Sequence, residues 1–155
     1  MEPRFLVDEN LLGLLRRLRI MGVDSVSLMS SSDQEILLYA TQEGRIILTQ
    51  DRLFYQSIPE GKAFLVRSDI PKSQLVEVLK AFPLAGKNPL TRCLECNGVL
   101  RLIEKTAVKN IVDENTFRLF DTFYECSSCH KIYWEGSHYD KLRKEVANIN
   151  AARHL

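Results

Sequence analysis

Four short apolar runs alternate with segments of helical spacing over roughly the first eighty residues of the chain. Strands that alternate with helices in this way pair in parallel, because each crossover helix returns the chain to the same edge of the sheet. The pattern therefore predicts an α/β fold, a three-layer sandwich with a mostly parallel sheet. The predicted strands cover residues 5–7, 23–28, 45–49 and 63–66.

Capping residues mark the ends of the predicted helices. Gly22 and Gly44 each follow an apolar helical stripe and predict a left-handed stop. Ser32 and Glu35 have the spacing of a capping box, and Pro71 marks the start of a further helix. Each predicted strand is thus followed by a helical or short connecting segment.

Aspartates follow the first and third apolar runs. Because parallel strands place their carboxyl ends at one edge of the sheet, we expect Asp8 and Asp51 to lie close together there. Asp33, in the first turn of the second helix, is the third candidate. Carboxylates suit Mg²⁺ or Mn²⁺, ions that can activate water for attack on a phosphodiester. The reserve candidates are Glu9, Glu35 and Asp69.

Each of these carboxylates also has a purely structural interpretation. Asp8 can cap the first helix, and Asp51 can make a turn. Asp33 can complement a helix dipole, while Glu35 can close the capping box. Because both strands end on aspartate, a functional role is favoured over a structural one for Asp8 and Asp51.

Four cysteines form two C-x-x-C pairs in the second half of the chain. Two such pairs can surround one tetrahedral Zn²⁺, and the segment between them is long enough for two strands, as in zinc ribbons. A c-type haem motif (residues 126–130) or a redox pair would leave the other pair unexplained. We therefore predict structural zinc, which helps this small unit to fold. Its predicted ligands are Cys93, Cys96, Cys126 and Cys129.

The chain has a net charge of +1, so contact with a polyanion would depend on local patches. Arg16, Arg17 and Arg19 form a basic run that could contact a phosphate backbone, although such a run is more often a solvated helix face. His138 could contact substrate or be structural. With no signal peptide and no membrane-length apolar run, we expect an intracellular, cytoplasmic protein.

The composition changes after a segment rich in glycine and proline. This change predicts a first domain over residues 1–85, a linker over 86–91 and a zinc unit over 92–155. Within that unit we expect a final helix over residues 140–147, followed by frayed residues 148–155.

These motifs together resemble the mut-seven C-terminal RNase family, a PIN-like domain fused to a zinc ribbon. The resemblance implies a metal-dependent RNase whose acidic residues at strand ends map onto Asp8, Asp33 and Asp51, with RNA, expected to be single-stranded, as the partner. PIN-type nucleases commonly use a fourth acid, and no residue here clearly takes that place. The matching segments are residues 5–8, 12–19 with Gly22, Asp33 with Glu35, 44–52, 92–93 with 96–97, and 133–134 with 136–138.

Two other classes of function compete with the nuclease. A response-regulator receiver would explain Asp8, Glu9 and Asp51, but no Met-Pro pair follows Asp51 and a zinc unit is foreign to that family. A non-catalytic RNA-binding or assembly module would use the zinc unit for binding and keep the acids as remnants. Cleavage of RNA, or phosphorylation of Asp51, distinguishes these classes.

Overall fold

A computed structural model of the protein describes residues 2–83 and 90–153. The first sheet has four parallel strands in the order β2-β1-β3-β4, which confirms the predicted α/β class. Only two residues of the predicted second strand pair with a neighbour, so β2 is shorter than expected. The strands are β1 (Phe5–Val7), β2 (Ser25–Val26), β3 (Ile46–Thr49) and β4 (Ala63–Leu65).

Helices cover both faces of this sheet. On one face α1 and α4 pack together over a core that includes Phe5, Leu14 and Leu75. On the other face α2 and α3 cover Leu6 and Ile47. Burying each of these large side chains stabilises the fold by about 1.5–3 kcal/mol. The helices are α1 (Leu12–Ile20), α2 (Asp33–Glu43), α3 (Arg52–Ser57) and α4 (Pro71–Ala81).

The predicted helix ends are present. Gly44 ends α2 with φ of 63°, and Gly22 follows α1 with φ of 77°, a region where a side chain is disfavoured. Ser32 Oγ accepts a 3.2 Å hydrogen bond from the Glu35 N–H at the start of α2. Pro71 lies in the first turn of α4, where its missing N–H costs nothing.

A second, antiparallel sheet follows, with strand order β5-β6-β7. Its small core contains Val108 and Phe123, and the Phe123 ring lies 6.2 Å from that of Trp134. The sequence predicted two strands here; the third strand and a short helix capped by Asp113 were not foreseen. The elements are β5 (Leu100–Ile103), α5 (Glu114–Leu119), β6 (Phe123–Cys126) and β7 (Ile132–Trp134).

The final helix, α6 (Ser137–Arg153), is longer than the predicted span of 140–147, and the expected fraying from residue 148 is wrong for the part described. The reason is tertiary packing. Ile149 is buried in the core beside α4, and Glu145 pairs with Arg17 of α1 at 2.9 Å. Of the predicted linker, residues 86–89 lie outside the described residues. Within the described chain, no helix has the length and apolarity needed to span a bilayer.

Candidate active site and metal site

The chain order of the first sheet reverses between β1 and β3, which lie side by side at its centre. Open α/β sheets bind ligands at the carboxyl ends of strands at such a switch point. Val7 pairs with Leu48, and the Asp8 N–H donates to the Leu48 carbonyl at 2.9 Å. Asp8 therefore lies beside Thr49, and Asp51 follows two residues later at the same edge, called here the carboxyl edge.

Thr49 connects the two aspartates. Its hydroxyl donates a 3.0 Å hydrogen bond to Asp8 Oδ2 and accepts one of 3.1 Å from the Asp51 N–H. Thr49 is fully buried, so the hydroxyl that joins the two aspartates lies beneath the surface of this edge. A buried hydroxyl with both partners in place fixes the Asp8 carboxylate relative to the start of α3. A role for Thr49 was not predicted from the sequence.

Both aspartates also cap the segments that follow them, as their structural interpretation required. Asp51 Oδ1 accepts from the Phe54 N–H at 3.1 Å and caps α3. Asp8 Oδ1 accepts from the Asn10 N–H at 3.3 Å and caps a 3₁₀ turn. Each of these oxygens retains a lone pair, because a carboxylate oxygen can accept two partners. Capping and metal binding are therefore compatible here.

Asp33 begins α2, which follows β2 and so starts on the same side of the sheet. Its exposed side chain has no described contact with Asp8 or Asp51. The loop before α2 is tied to this edge by Glu9, whose Oε2 accepts from the Ser30 N–H at 2.9 Å. Asp33 and the two central aspartates share an edge without touching.

The other reserve acids differ in their surroundings. Asp69 follows β4 and accepts a 3.2 Å hydrogen bond from the Gln50 side chain, while Glu35 is exposed on α2. Among the described residues, the acids of the carboxyl edge do not form a group of three that is close enough to hold an ion. Within the same residues, no ion pair neutralises Asp8, Asp33 or Asp51.

The four cysteines converge at the opposite end of the molecule. Their sulfur atoms all lie within 4.8 Å of one another, with 3.7 Å between those of Cys93 and Cys129 and 3.4 Å between those of Cys96 and Cys126. Tetrahedral Zn²⁺ with Zn–S bonds of about 2.3 Å would hold its sulfurs about 3.8 Å apart. The cluster could therefore hold a zinc ion with little rearrangement.

Both cysteine loops have the same local geometry. The residue after each pair, Asn97 or His130, adopts a left-handed conformation with φ of 70° or 65°. In each loop its N–H bonds to the carbonyl of the first cysteine, at 3.0 Å. Asparagine and histidine tolerate this region better than most residues. The repeated turn aims both sulfurs of a pair at one point.

Neighbouring groups contact two of the four sulfurs. Burial would raise the pKa of the Cys126 thiol, but the N–H groups of Cys129 and Ser128 point at its sulfur and bring the pKa down to about 6. The Tyr133 hydroxyl lies 3.0 Å from Cys93 Sγ and accepts from the Leu94 N–H at 3.1 Å. A donor to a ligating sulfur fixes its orientation and charge. This role of Tyr133 was not predicted from the sequence.

The first cysteine loop is bonded to the amino ends of the parallel strands, called here the amino edge. Asn97 accepts from the Ser25 N–H at 3.0 Å and donates to Asp24 at 2.8 Å. Asp24 also pairs with Arg45 at 2.8 Å, and the side chains of Asp24 and Arg45 are only 17% and 7% exposed. Burial acts to raise the pKa of Asp24, but the bonds from Arg45 and Asn97 outweigh it and lower the pKa. This buried network was not predicted.

Arg19 is part of the same junction. Its guanidinium donates to the Ser25 carbonyl and to the Leu94 carbonyl, both at 2.9 Å, and the residue is only 7% exposed. These contacts give Arg19 a structural position, which differs from both the phosphate contact and the solvated face that the sequence left open. Arg17 is half-buried and held by Glu145, whereas Arg16 is exposed beside Glu95 at 3.8 Å. Among the three, Arg16 is the side chain best placed for an external anion.

The two sites occupy opposite edges of the parallel sheet. Asp8 and Asp51 follow the carboxyl ends of β1 and β3, while Asp24 and Arg45 precede β2 and β3 at the amino edge. Four residues of β3 separate these edges by roughly 13 Å. His138 lies in the first turn of α6, and its side chain lies outside the described residues.

A parallel α/β sheet with carboxylates at its switch point, joined to an antiparallel unit with four clustered cysteines, defines a class of α/β proteins that carry a small cysteine-rich unit. The family described as the Mut7-C RNAse domain matches residues 3–146. The chain belongs to this family, as its motifs indicated. No curated protein and no solved structure matches the chain significantly.

Proposed function

We propose that the protein is a divalent-metal-dependent ribonuclease that hydrolyses RNA at the carboxyl edge. The observation that carries this proposal is the junction of Asp8 and Asp51 through the buried Thr49 hydroxyl, at the sheet's switch point. Membership of an RNase domain family supports the substrate class. Uncompensated carboxylates at one edge favour a cation, because like charges repel until one is bound.

Asp8 and Asp51 would bind Mg²⁺ or Mn²⁺ directly, and Asp33 would bind through water, or directly after its side chain moves towards the ion. Such ions keep several of their waters, which suits carboxylates that share an edge without touching. The bound ion would activate water and stabilise the charge of the phosphodiester under attack. Thr49 would hold the Asp8 carboxylate in position during this step.

The four-cysteine unit would bind structural zinc. All four ligand positions would be filled by sulfur, so this zinc would not be catalytic. Its place at the amino edge suits a role in stability and in binding RNA away from the cleavage point. Arg16 and the residues near it are the candidates for that contact.

Cleavage of single-stranded RNA by the zinc-loaded protein tests the proposal. We expect cleavage with added Mn²⁺ and its loss in Asp8→Asn and Asp51→Asn, because each variant loses a negatively charged ligand. Asp121→Asn is the matched control, because the Asp121 side chain is 93% exposed and lies in the four-cysteine unit. Cleavage that needs no added metal and survives both substitutions would exclude this mechanism. RNA binding without cleavage would support the non-catalytic module instead.

The same variants have an expected stability without metal. Asparagine can still cap α3 through its side-chain oxygen, so Asp51→Asn should leave the free energy of unfolding unchanged or raise it by about 1 kcal/mol. Added Mn²⁺ should raise the Tm of the parent and not that of the variant, since a ligand stabilises only the state that binds it. Thermal melts with and without Mn²⁺ measure both effects.

A further inference from the structure

A cavity of about 450 Å³ lies between α1 and the four-cysteine unit. Arg16 and Ile20 of α1 form one wall, and residues of the second unit form the rest. Cavities of 300–1,000 Å³ are the size that holds small organic ligands. Apart from the external contact proposed for Arg16, the proposed function assigns no role to this cavity, called here the seam pocket.

Three aromatic side chains line the seam pocket: Phe120, Tyr133 and Trp134. Tyr133 is held in place by the hydrogen bonds of its hydroxyl to Cys93 and Leu94, and Trp134 packs against Phe123. Rings that are fixed before binding lose little conformational entropy when a planar ligand stacks on them. The wall therefore suits a flat, partly apolar group.

Cationic side chains line the same pocket. Arg16 and Lys131 are about half exposed and share one acid, Glu95, at 3.8 Å and 3.3 Å. Arg92 is directed to the Asn97 carbonyl at 3.2 Å and lies 3.8 Å from Asp24. One carboxylate shared by two cations leaves a local positive excess beside the aromatic wall.

From this combination we propose that the seam pocket binds one nucleotide unit of RNA. The base stacks on Phe120 and Trp134, and the attached phosphate contacts Arg16 and Lys131. Stacking on aromatic side chains with nearby cations is how proteins bind unpaired nucleotides. The proposal rests on RNA as the substrate class in the proposed function, and it adds a binding subsite remote from the carboxyl edge.

Trp134 is the chain's single tryptophan, so its fluorescence reports on this pocket. We would titrate the full zinc-loaded chain, without Mg²⁺ or Mn²⁺, with adenosine monophosphate, adenosine and inorganic phosphate. We expect saturable quenching by the nucleotide, binding about fivefold weaker for the nucleoside, and no quenching by phosphate alone. Absence of saturable quenching by the nucleotide, or equal quenching by phosphate, would overturn the proposal.

Substitutions locate the binding site. Lys131→Ala and Arg16→Ala should each weaken nucleotide binding about fivefold, and Phe120→Ala about tenfold. Lys109→Ala is the matched control, because Lys109 is exposed in the same unit but does not line the pocket. Equal losses in Lys109→Ala and Lys131→Ala would refute the site. Lys109 and Lys131 are both exposed, so neither substitution should disturb the core and the two variants can be compared directly.

The titration involves no cleavage, so its outcome is separate from that of the nuclease assay. Nucleotide binding without any RNA cleavage would contradict the proposed catalytic function and support the proposed binding site in the seam pocket. RNA cleavage without nucleotide binding would contradict the binding site and support the catalytic proposal.

Discussion

The side-chain amide of Asn97 donates a 2.8 Å hydrogen bond to the carboxylate of Asp24. This bond joins the first cysteine loop to the amino edge of the parallel sheet, where Asp24 also neutralises Arg45. The four-cysteine unit is therefore attached through a buried polar network. Removing one partner from such a network lowers the stability of the fold, because the remaining polar groups stay buried without a hydrogen bond.

Asp24→Ala should lower the free energy of unfolding by about 3 kcal/mol, because it leaves the Arg45 guanidinium buried without its counter-charge. Chemical unfolding of the zinc-loaded protein measures this. The control is Asp121→Ala, which removes an exposed acid paired with Lys105 and should change stability by less than about 1 kcal/mol. Equal effects of the two substitutions would contradict the buried network.

The same carboxylate predicts a dependence of stability on pH. The pKa of Asp24 is lowered in the folded protein below its usual value of 3.8, so ionised Asp24 stabilises the fold fully above about pH 4. That contribution is lost as the pH falls through the lowered pKa. We expect the stability difference between the parent and Asp24→Asn to shrink below about pH 4. A difference that stays constant down to pH 3 would show that Asp24 does not titrate in this way.

Tyr133→Phe should weaken zinc binding about 10- to 100-fold, because it removes the hydroxyl next to Cys93 Sγ. Competition with a metal chelator measures the affinity. Tyr124→Phe is the matched control: Tyr124 lies on the neighbouring strand, and among the described contacts its hydroxyl has none with a cysteine. Identical zinc affinities for the two variants would assign Tyr133 to packing alone.

Thr49→Val should reduce RNA cleavage about 10- to 100-fold, because valine has the shape of threonine but cannot donate to Asp8. Thr49→Ser keeps the hydroxyl and should restore most of the activity, even though it removes a buried methyl group. Single-turnover cleavage rates at saturating Mn²⁺ make the comparison. If serine and valine reduced the rate equally, Thr49 would act through packing and not as a positioning residue.

The placement of Asp8 and Asp51 was predictable because it follows from simple rules. Apolar runs of strand length, separated by helices, pair in parallel and end at one edge. Thr49 was not predictable in the same way. It belongs to a strand whose register must be known before its hydroxyl can be placed beside Asp8.

Arg19 shows where sequence periodicity fails. The helical spacing of α1 predicts a polar side chain there, but the second unit covers that side and makes Arg19 a buried donor to Leu94, which is 75 positions away. The Asn97 contact with Asp24 spans 73 positions. Local patterns contain no information on such distances. The sequence did contain one indication that the two cysteine loops are alike. Asn97 and His130 occupy equivalent places after the two cysteine pairs, and both adopt a left-handed conformation.

The position of Ile149 has a consequence for synthesis. This side chain of α6 completes the apolar core that contains residues of α1 and α4, both of which lie within the first 81 residues. A ribosome makes those residues first, so this apolar layer is incomplete until residue 149 has emerged. Within the described chain, a segment translated after the four-cysteine unit thus completes a core whose other residues are translated before that unit.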